Sequence, residues 1–416
     1  RVGRQTAHTL TTDATQGTLE LRPVRTPLGS SPERNPSRTG KPGAPMFTLT
    51  TKDRHGVLLG KRIRRLTPRE CLRLQGWRDD RIDRVLAIQS DNQVYKQAGN
   101  GVTVTVVEAI GGLHPAYEYV RSAILAGKNV ATANKALIAT CFDELIPLAR
   151  ERGVFLRCTA SVGGGIGWLS ELERARRIET VHHVGGIMNG TCNYILDSMT
   201  RLGLGYSEAL KQAQALGYAE ADPTTDVEGI DTWHKLIVSA NIGFGVSLDI
   251  SGIPAAGISR IGAEDVANFS ANGLVCKLVS TADCQSGNYS AYVQPTLYPL
   301  GQPEAAVPAN YNLITLEGDV SGRQSFFGQG AGRYPTAYNV VQDLVDVLAG
   351  KGFYAPYGGH AAAVNDEKLT WYVRGNWNGE TKEHWGSAAV TAPVSVAAMH
   401  AWLKENPNAF AAAIRG

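Results

Sequence analysis

The chain has 416 residues, 43% of them hydrophobic, and a formal net charge of +3. That length accommodates two to three domains, and no apolar run approaches the roughly 20 residues of a membrane span. The six cysteines form no CxxC and no Cys/His ligand spacing, and the chain opens on no signal-peptide pattern, so free or buried thiols in a reducing cytoplasm are expected rather than a disulfide frame.

The charge is unevenly spread. Residues 1–106 carry 19 Lys+Arg against 9 Asp+Glu, a surplus of +10, and the remainder carries 22 against 29, a deficit of −7. A basic front and an acidic back predict two parts with different partners. Residues 1–45 are rich in Thr, Pro, Gly, Ser and Arg and poor in large apolar residues, which predicts a largely disordered segment. MFTLTTKDRHGVLLGKRIRRL restores a regular pattern. Thr67-Pro68-Arg69-Glu70 reads as a helix start, with Thr as N-cap, Pro at the first position and Glu three residues after the cap. In YKQAGNGVTVTVVEAI a Gly-Asn-Gly turn leads into alternating Val and Thr.

RRLTPRECLRLQGW and YKQAGNGVTVTVVEAI resemble the last two motifs of the DNA cytosine-5 methyltransferases, and FTLTTKDRHGVLL the segment before them. Gly101 stands where that family usually has Ser, and Thr105 where it usually has Pro. No FxGxG loop precedes these motifs, and no Pro-Cys nucleophile or Glu-Asn-Val motif is present. Without a thiolate to attack the base, no methyl transfer is expected. The basic surplus implies weak nucleic-acid binding through phosphates, with Arg64, Arg65 and Arg69 as candidates.

From residue 107 to 158 strands and helices alternate. Strands are expected at Val106–Ile110, Asn129–Ala133 and Val154–Cys158, with helices over Pro115–Ala126 and on to about Glu151. This βαβαβ order predicts parallel strands, the second half of a nucleotide-binding sheet. No GxGxxG follows a strand anywhere in the chain, so the turn on which a pyrophosphate rests is missing. Lys135 lies just past the carboxyl end of a strand, where ligands of α/β sheets sit.

SVGGGIGWL is a glycine-rich turn after a strand. In GGIMNGTCNYILDSM, Asn189, Gly190 and Thr191 lie on a turn before a helix. Ser207 is expected to cap SEALKQAQAL. In GYAEADPTTDVEGIDTWHK, Asp222-Pro223 cannot continue a helix, and from Asp226 onward Val227, Ile230, Trp233, Leu236 and Ile237 fall at helical spacing. Asp231 and Lys235, four apart, share a face of that helix, with Glu220 in the loop before it. Two carboxylates and an ammonium at one junction could hold and protonate a polar substrate bearing an amine, a hydroxyl and a carboxylate; a surface helix with an ordinary Asp–Lys pair would read the same way. Beyond Leu248 short strands and helices alternate, FFGQGAGRYPTAYNVVQDLVDVL is a Gly-rich turn followed by a helix, and residues 351–416 form a small strand–helix appendage.

GYAEADPTTDVEGIDTWHK resembles the substrate-site signature of the homoserine dehydrogenases, and the resemblance runs from about Val107 through RYPTAYNVVQDLVDVLAG. It implies NAD- or NADP-dependent interconversion of L-homoserine and L-aspartate 4-semialdehyde by a homodimer. Lys235 is implied as general acid, Asp231 as the group that orients it, and Glu220 as the ligand of the substrate ammonium, with Asp226 and Lys135 in the same pocket. Lys135, Asn189, Gly190, Thr191, Gly217, Gly328 and Gly330 are implied near the cofactor. The carbonyls of Val162, Gly164 and Ile166 are implied to hold a monovalent cation such as Na+, with Thr159 where the family has a Glu ligand.

The expected fold is α/β with an α+β substrate domain. A truncated Rossmann-like parallel sheet and an open mixed sheet covered by helices follow a partly disordered basic segment. Domains are expected at 1–106, 107–158, 159–350 and 351–416. Two other readings of the chain are a DNA-binding methyltransferase remnant without its catalytic motifs and an inactive fusion.

Overall fold

The computed structural model describes residues 22–27, 38–39, 53–59, 62–65, 67–74, 79–88, 90, 112–351 and 358–415. The chain divides into two compact units, 1–110 and 111–416. The Gly99–Gly101 turn and the strand expected at Val106–Ile110 lie outside the described residues.

In the first unit β1 (Arg22–Pro27), β2 (Arg38–Thr39), β3 (Asp53–Leu59) and β4 (Arg62–Arg65) form an antiparallel sheet in the order β2-β1-β3-β4. Of these, β1 and β2 fall within residues 1–45. Among the described residues β2 pairs with Val24 and Arg25, and β3 with all of Arg22–Pro27, its two prolines included. Helix α1 (Pro68–Leu74) begins with the expected capping box: the Thr67 N–H donates to Glu70 Oε2 at 2.8 Å and the Glu70 N–H donates to Thr67 Oγ1 at 3.3 Å. Arg73 pairs with Asp79 of α2 (Asp79–Ile88) at 2.6 Å, and Arg69 reaches Asp79 and Asp83. Acidic partners therefore engage one of the cations proposed for phosphate contact.

The second unit opens with α3 (Ala116–Leu125), β5 (Val130–Ala131), α4 (Lys135–Glu151) and β6 (Leu156–Arg157). β5 and β6 pair in parallel, as a crossover through α4 allows. Asn134 caps α4 by accepting from the Leu137 N–H at 3.1 Å and donates to the Gly112 carbonyl at 2.6 Å.

Next come a short turn at Thr159–Ser161, α5 (Trp168–Ala175), β7 (Val181–Ile187), α6 (Gly190–Leu202) and α7 (Tyr206–Ala215). Ser207 does not cap α7; the N-cap is Gly205, two positions earlier than the sequence suggests. The helix expected from Asp226 is two helices, α8 (Thr224–Val227) and α9 (Ile230–Phe244), broken at Gly229, whose φ of +80° no other residue adopts easily.

The remainder is β8 (Ser247–Leu248), α10 (Ala263–Ala271), β9 (Leu274–Gln285), β10 (Asn288–Pro299), β11 (Asn312–Gly318), β12 (Gly322–Gly328), α11 (Arg333–Leu348), β13 (His360–Ala361), β14 (Lys368–Arg374), β15 (Thr381–Trp385), β16 (Ala388–Thr391), β17 (Val394–Ser395), α12 (Val396–Glu405) and β18 (Phe410–Ile414). One large sheet runs β12-β11-β7-β9-β10-β18-β14-β16-β15. It is mixed, because β18 lies parallel to β10 while its other neighbours are antiparallel. The long β9–β10 hairpin closes on Ser286 and Gly287, both at positive φ, the two-residue turn that matches strand twist.

Residues 368–414 add β18, β14, β16 and β15 to this sheet, and β17 pairs with β14. Their core packs Trp371, Val373, Val396, Met399 and Leu403 against Tyr292 of β10. Helix α9 lies against β7, β9 and β10. Helix α11 is inverted relative to an ordinary surface helix. Tyr334, Tyr338, Val341, Val345 and Leu348 are exposed, whereas Asn339 and Asp343 are buried.

Candidate active site

The site forms where three helices begin. Strand β7 ends at Ile187, and Met188 and Asn189 then turn the chain into α6. Asn189 is the N-cap of that helix, its Oδ1 accepting from the Cys192 N–H at 2.8 Å. This fixes the amide so that Nδ2 donates to Asp226 Oδ1 at 2.7 Å and to Asp231 Oδ2 at 2.8 Å. One asparagine thus ties α6 to both α8 and α9.

Asp231 lies in the first turn of α9, where a carboxylate is favoured by the helix dipole. It takes two ammonium groups. Lys235 Nζ lies 2.7 Å from Oδ2, and Lys135 Nζ, at the start of α4, lies 3.0 Å from Oδ1. Lys235 also donates to the Met188 carbonyl at 2.7 Å. The side chains of Asp231 and Lys235 are each 8% exposed, while that of Lys135 is 36% exposed. Lys135 is therefore the mouth of the cluster and Lys235 its floor.

Burial alone would raise the Asp231 carboxyl, but Lys235 and Lys135 outweigh it and hold the group well below the usual carboxylate range. Asp226 moves the other way: burial raises it, against the hydrogen bond from Asn189. Burial, with Lys135 adding to it, lowers His234, next along α9. The cluster holds an ionised carboxylate between two cations, with a second, partly buried carboxylate beside it. Such a set can bind an anionic group and supply a proton to a developing oxyanion.

The remaining expected residues are distributed as follows. Glu220 is exposed in the loop entering α8, its backbone carbonyl accepting from Gln214 Nε2 at 3.0 Å; among the described residues no hydrogen bond or ion pair joins its carboxylate to the cluster. The Thr191 hydroxyl donates to the Tyr218 carbonyl at 2.6 Å. Gly217 follows α7 at φ +75°, which is the chain-reversing role of a glycine after a helix. A Cβ on Gly190 would meet the Asn310 carbonyl oxygen at 2.6 Å, and one on Gly330 would meet Asn312 Nδ2 at 1.8 Å. A Cβ on Gly328 would press on Ile166 at 3.1 Å. Close packing within the chain thus accounts for these three glycines.

The carbonyls of Gly164 and Ile166 accept from the Asn339 side-chain amide, and Thr159 donates its hydroxyl to Asp343 at 2.6 Å. Cys192 is fully buried, its thiol donating to the Asp226 carbonyl, and burial pushes it well above the ordinary thiol range, which suits packing and not nucleophilic attack. Sequence reasoning missed the Met188 carbonyl, which carries no side-chain signal. It also placed Asn189 with the cofactor and not as the bridge between Asp226 and Asp231. The cap signature at Asn189 was visible, but the second helix it reaches was not.

The profile of the homoserine dehydrogenase family matches residues 168–345, and that of the C-5 cytosine-specific DNA methylases matches residues 12–114. The homoserine dehydrogenase of Bacillus subtilis (strain 168) is 39% identical over 256 residues, covering 62% of this chain and 59% of that protein. That of Pseudomonas aeruginosa is 42% identical over 255 residues, covering 61% and 59%. The chain thus spans about three fifths of the length of these relatives. The crystal structure of a homoserine dehydrogenase from Thiobacillus denitrificans superposes with a TM-score of 0.65 at 28% identity, over 79% of this chain and 88% of that one.

Proposed function

We propose, for a chain that belongs to the homoserine dehydrogenase family, that the second unit interconverts L-homoserine and L-aspartate 4-semialdehyde with a nicotinamide cofactor. The observation that carries this reading is the Lys135–Asp231–Lys235 cluster. Of the three N–H donors of Lys235, one goes to Asp231 and one to the Met188 carbonyl, which leaves the third for a substrate oxygen. In the direction of aldehyde reduction, Lys235 gives its proton to the developing alkoxide. Asp231 orients that ammonium and stays ionised. Lys135, at the mouth, faces the substrate carboxylate or the nicotinamide, and Glu220, in the entering loop, takes the substrate ammonium.

A bound nicotinamide would supply or accept the hydride. Lys135, exposed beyond the carboxyl end of β5, fits its reactive end. The sequence carries no GxGxxG turn for the pyrophosphate, so the expected affinity for NAD(P)H is weak. Homodimerisation and phosphate contacts through Arg64 and Arg65 belong to the same set of proposals.

The test follows homoserine oxidation through NADPH absorbance. Lys235→Met is expected to abolish turnover while leaving the folded circular dichroism spectrum in place. Turnover retained in that variant rejects the assignment of Lys235. Titrating NADPH fluorescence separately reads the cofactor step, so a protein that binds homoserine but not NADPH is told apart from one that binds neither.

A further inference from the structure

The turn over residues 158–167 is where the resemblance implies a monovalent cation, and its donor set argues for a different occupant. Asn339 of α11 is buried, and its Nδ2 donates to the Gly164 carbonyl and, at 3.3 Å, to the Ile166 carbonyl. The Ile166 carbonyl also accepts from the Trp168 N–H at 2.8 Å. An N–H donor and a cation compete for the same oxygen lone pairs, and a hard cation needs six or so oxygens turned toward it. Where the resemblance places a charged ligand, Thr159 donates its hydroxyl to Asp343 at 2.6 Å and its N–H at 2.9 Å. Asp343 in turn accepts from Arg157 at 3.3 Å, and that guanidinium also reaches Glu173 at 3.1 Å and Asp346 at 3.3 Å. The nearby carboxylates are thus committed to an arginine of the fold.

The turn is also pressed from outside. Gly164, at φ +54°, would bring a Cβ within 2.7 Å of the Gly330 carbonyl carbon, and the Gly165 N–H donates to the Gln329 carbonyl at 3.4 Å. Three segments meet here, and buried carbonyls at such a meeting need a donor.

We propose that the Asn339 amide takes the place of the monovalent cation, so that α11 is fastened to the 162–166 turn by a donor built into the chain and the turn's stability is independent of Na+ and K+. A carboxamide is two-sided: turned over, it would present Oδ1, a cation ligand, to the same position. The two arrangements differ in their response to salt. This inference does not depend on the proposed activity.

The experiment uses the full chain. Thermal unfolding is followed in NaCl, KCl and choline chloride at equal ionic strength, with Na+ then titrated against choline. The wild type is expected to melt at one temperature in all three. Asn339→Asp sets a carboxylate against two carbonyl oxygens; it is expected to melt several degrees lower in choline and to recover saturably with Na+ or K+. If that variant does not fold, Asn339→Ser, which replaces the amide donor by a shorter hydroxyl able to turn a lone pair to a cation without adding charge, is expected to gain the same selectivity with a smaller shift. A saturable, cation-specific rise in the wild-type midpoint overturns the proposal. So does a pair of folded variants as indifferent to the cation as the wild type, because the carbonyls then do not converge.

Discussion

Replacing Asp231 by Asn removes the negative charge between two ammonium groups and leaves the volume unchanged. Lys235, 2.7 Å away and 8% exposed, would then be a buried cation held by the Met188 carbonyl and facing Lys135. At an effective dielectric of about 20, charges about 3 Å apart attract by roughly 5 kcal/mol before desolvation is counted. The share of Lys135, about a third exposed, is cut by solvent screening. Stranding one partner of a buried pair costs about 3–5 kcal/mol, which is the expected loss at neutral pH.

Because the two lysines hold the Asp231 carboxyl well below its unfolded value of about 3.9, its contribution is present above that pH and is lost only as pH falls through the depressed folded value. The gap between wild type and variant should therefore stay flat from neutral to about pH 4. Urea unfolding by circular dichroism measures it, with the slope checked for change. In Asp231→Asn/Lys235→Met the stranded cation is gone, and this double variant is expected to be more stable than Asp231→Asn alone. A loss below about 1 kcal/mol in the single variant, or a double variant less stable than the single, would refute the cluster as an electrostatic unit.

Gly257→Ala should place a Cβ 2.0 Å from the Val227 carbonyl oxygen and 2.4 Å from Glu228 Cα. The expected result is a loss of about 1–3 kcal/mol together with lower turnover, because the displaced residues set the start of α9; unchanged melting and kinetics would count against it. Lys277 is fully buried, donating to Asn193 Oδ1 at 2.9 Å and the Val307 carbonyl at 2.7 Å, and burial lowers its pKa to about 8. Its folded value lies below the unfolded value of about 10.4, so stability should rise with pH between the two, by up to about 3 kcal/mol. That rise is expected in the wild type relative to Lys277→Met, and identical pH profiles would exclude it.

The sequence by itself determined whatever depends on neighbours along the chain. The capping box at Thr67 and Glu70, the crossover through α4 and the shared face of Asp231 and Lys235 each follow from local spacing, and each is present. It misplaced the start of α7 and ran α8 into α9, because a glycine at Gly229 reads as tolerable within a helical pattern until the packed chain demands a left-handed turn there. Strand β1 was hidden by its two prolines, which argue against a strand in a sequence pattern. Tertiary structure alone decided that Lys135, a hundred residues away, shares Asp231 with Lys235, that Asn189 bridges two carboxylates, and that Asn339 faces the Gly164 and Ile166 carbonyls. Ion pairs and amide bridges of this kind depend on where helix ends meet in space, and no periodicity along the chain encodes that meeting.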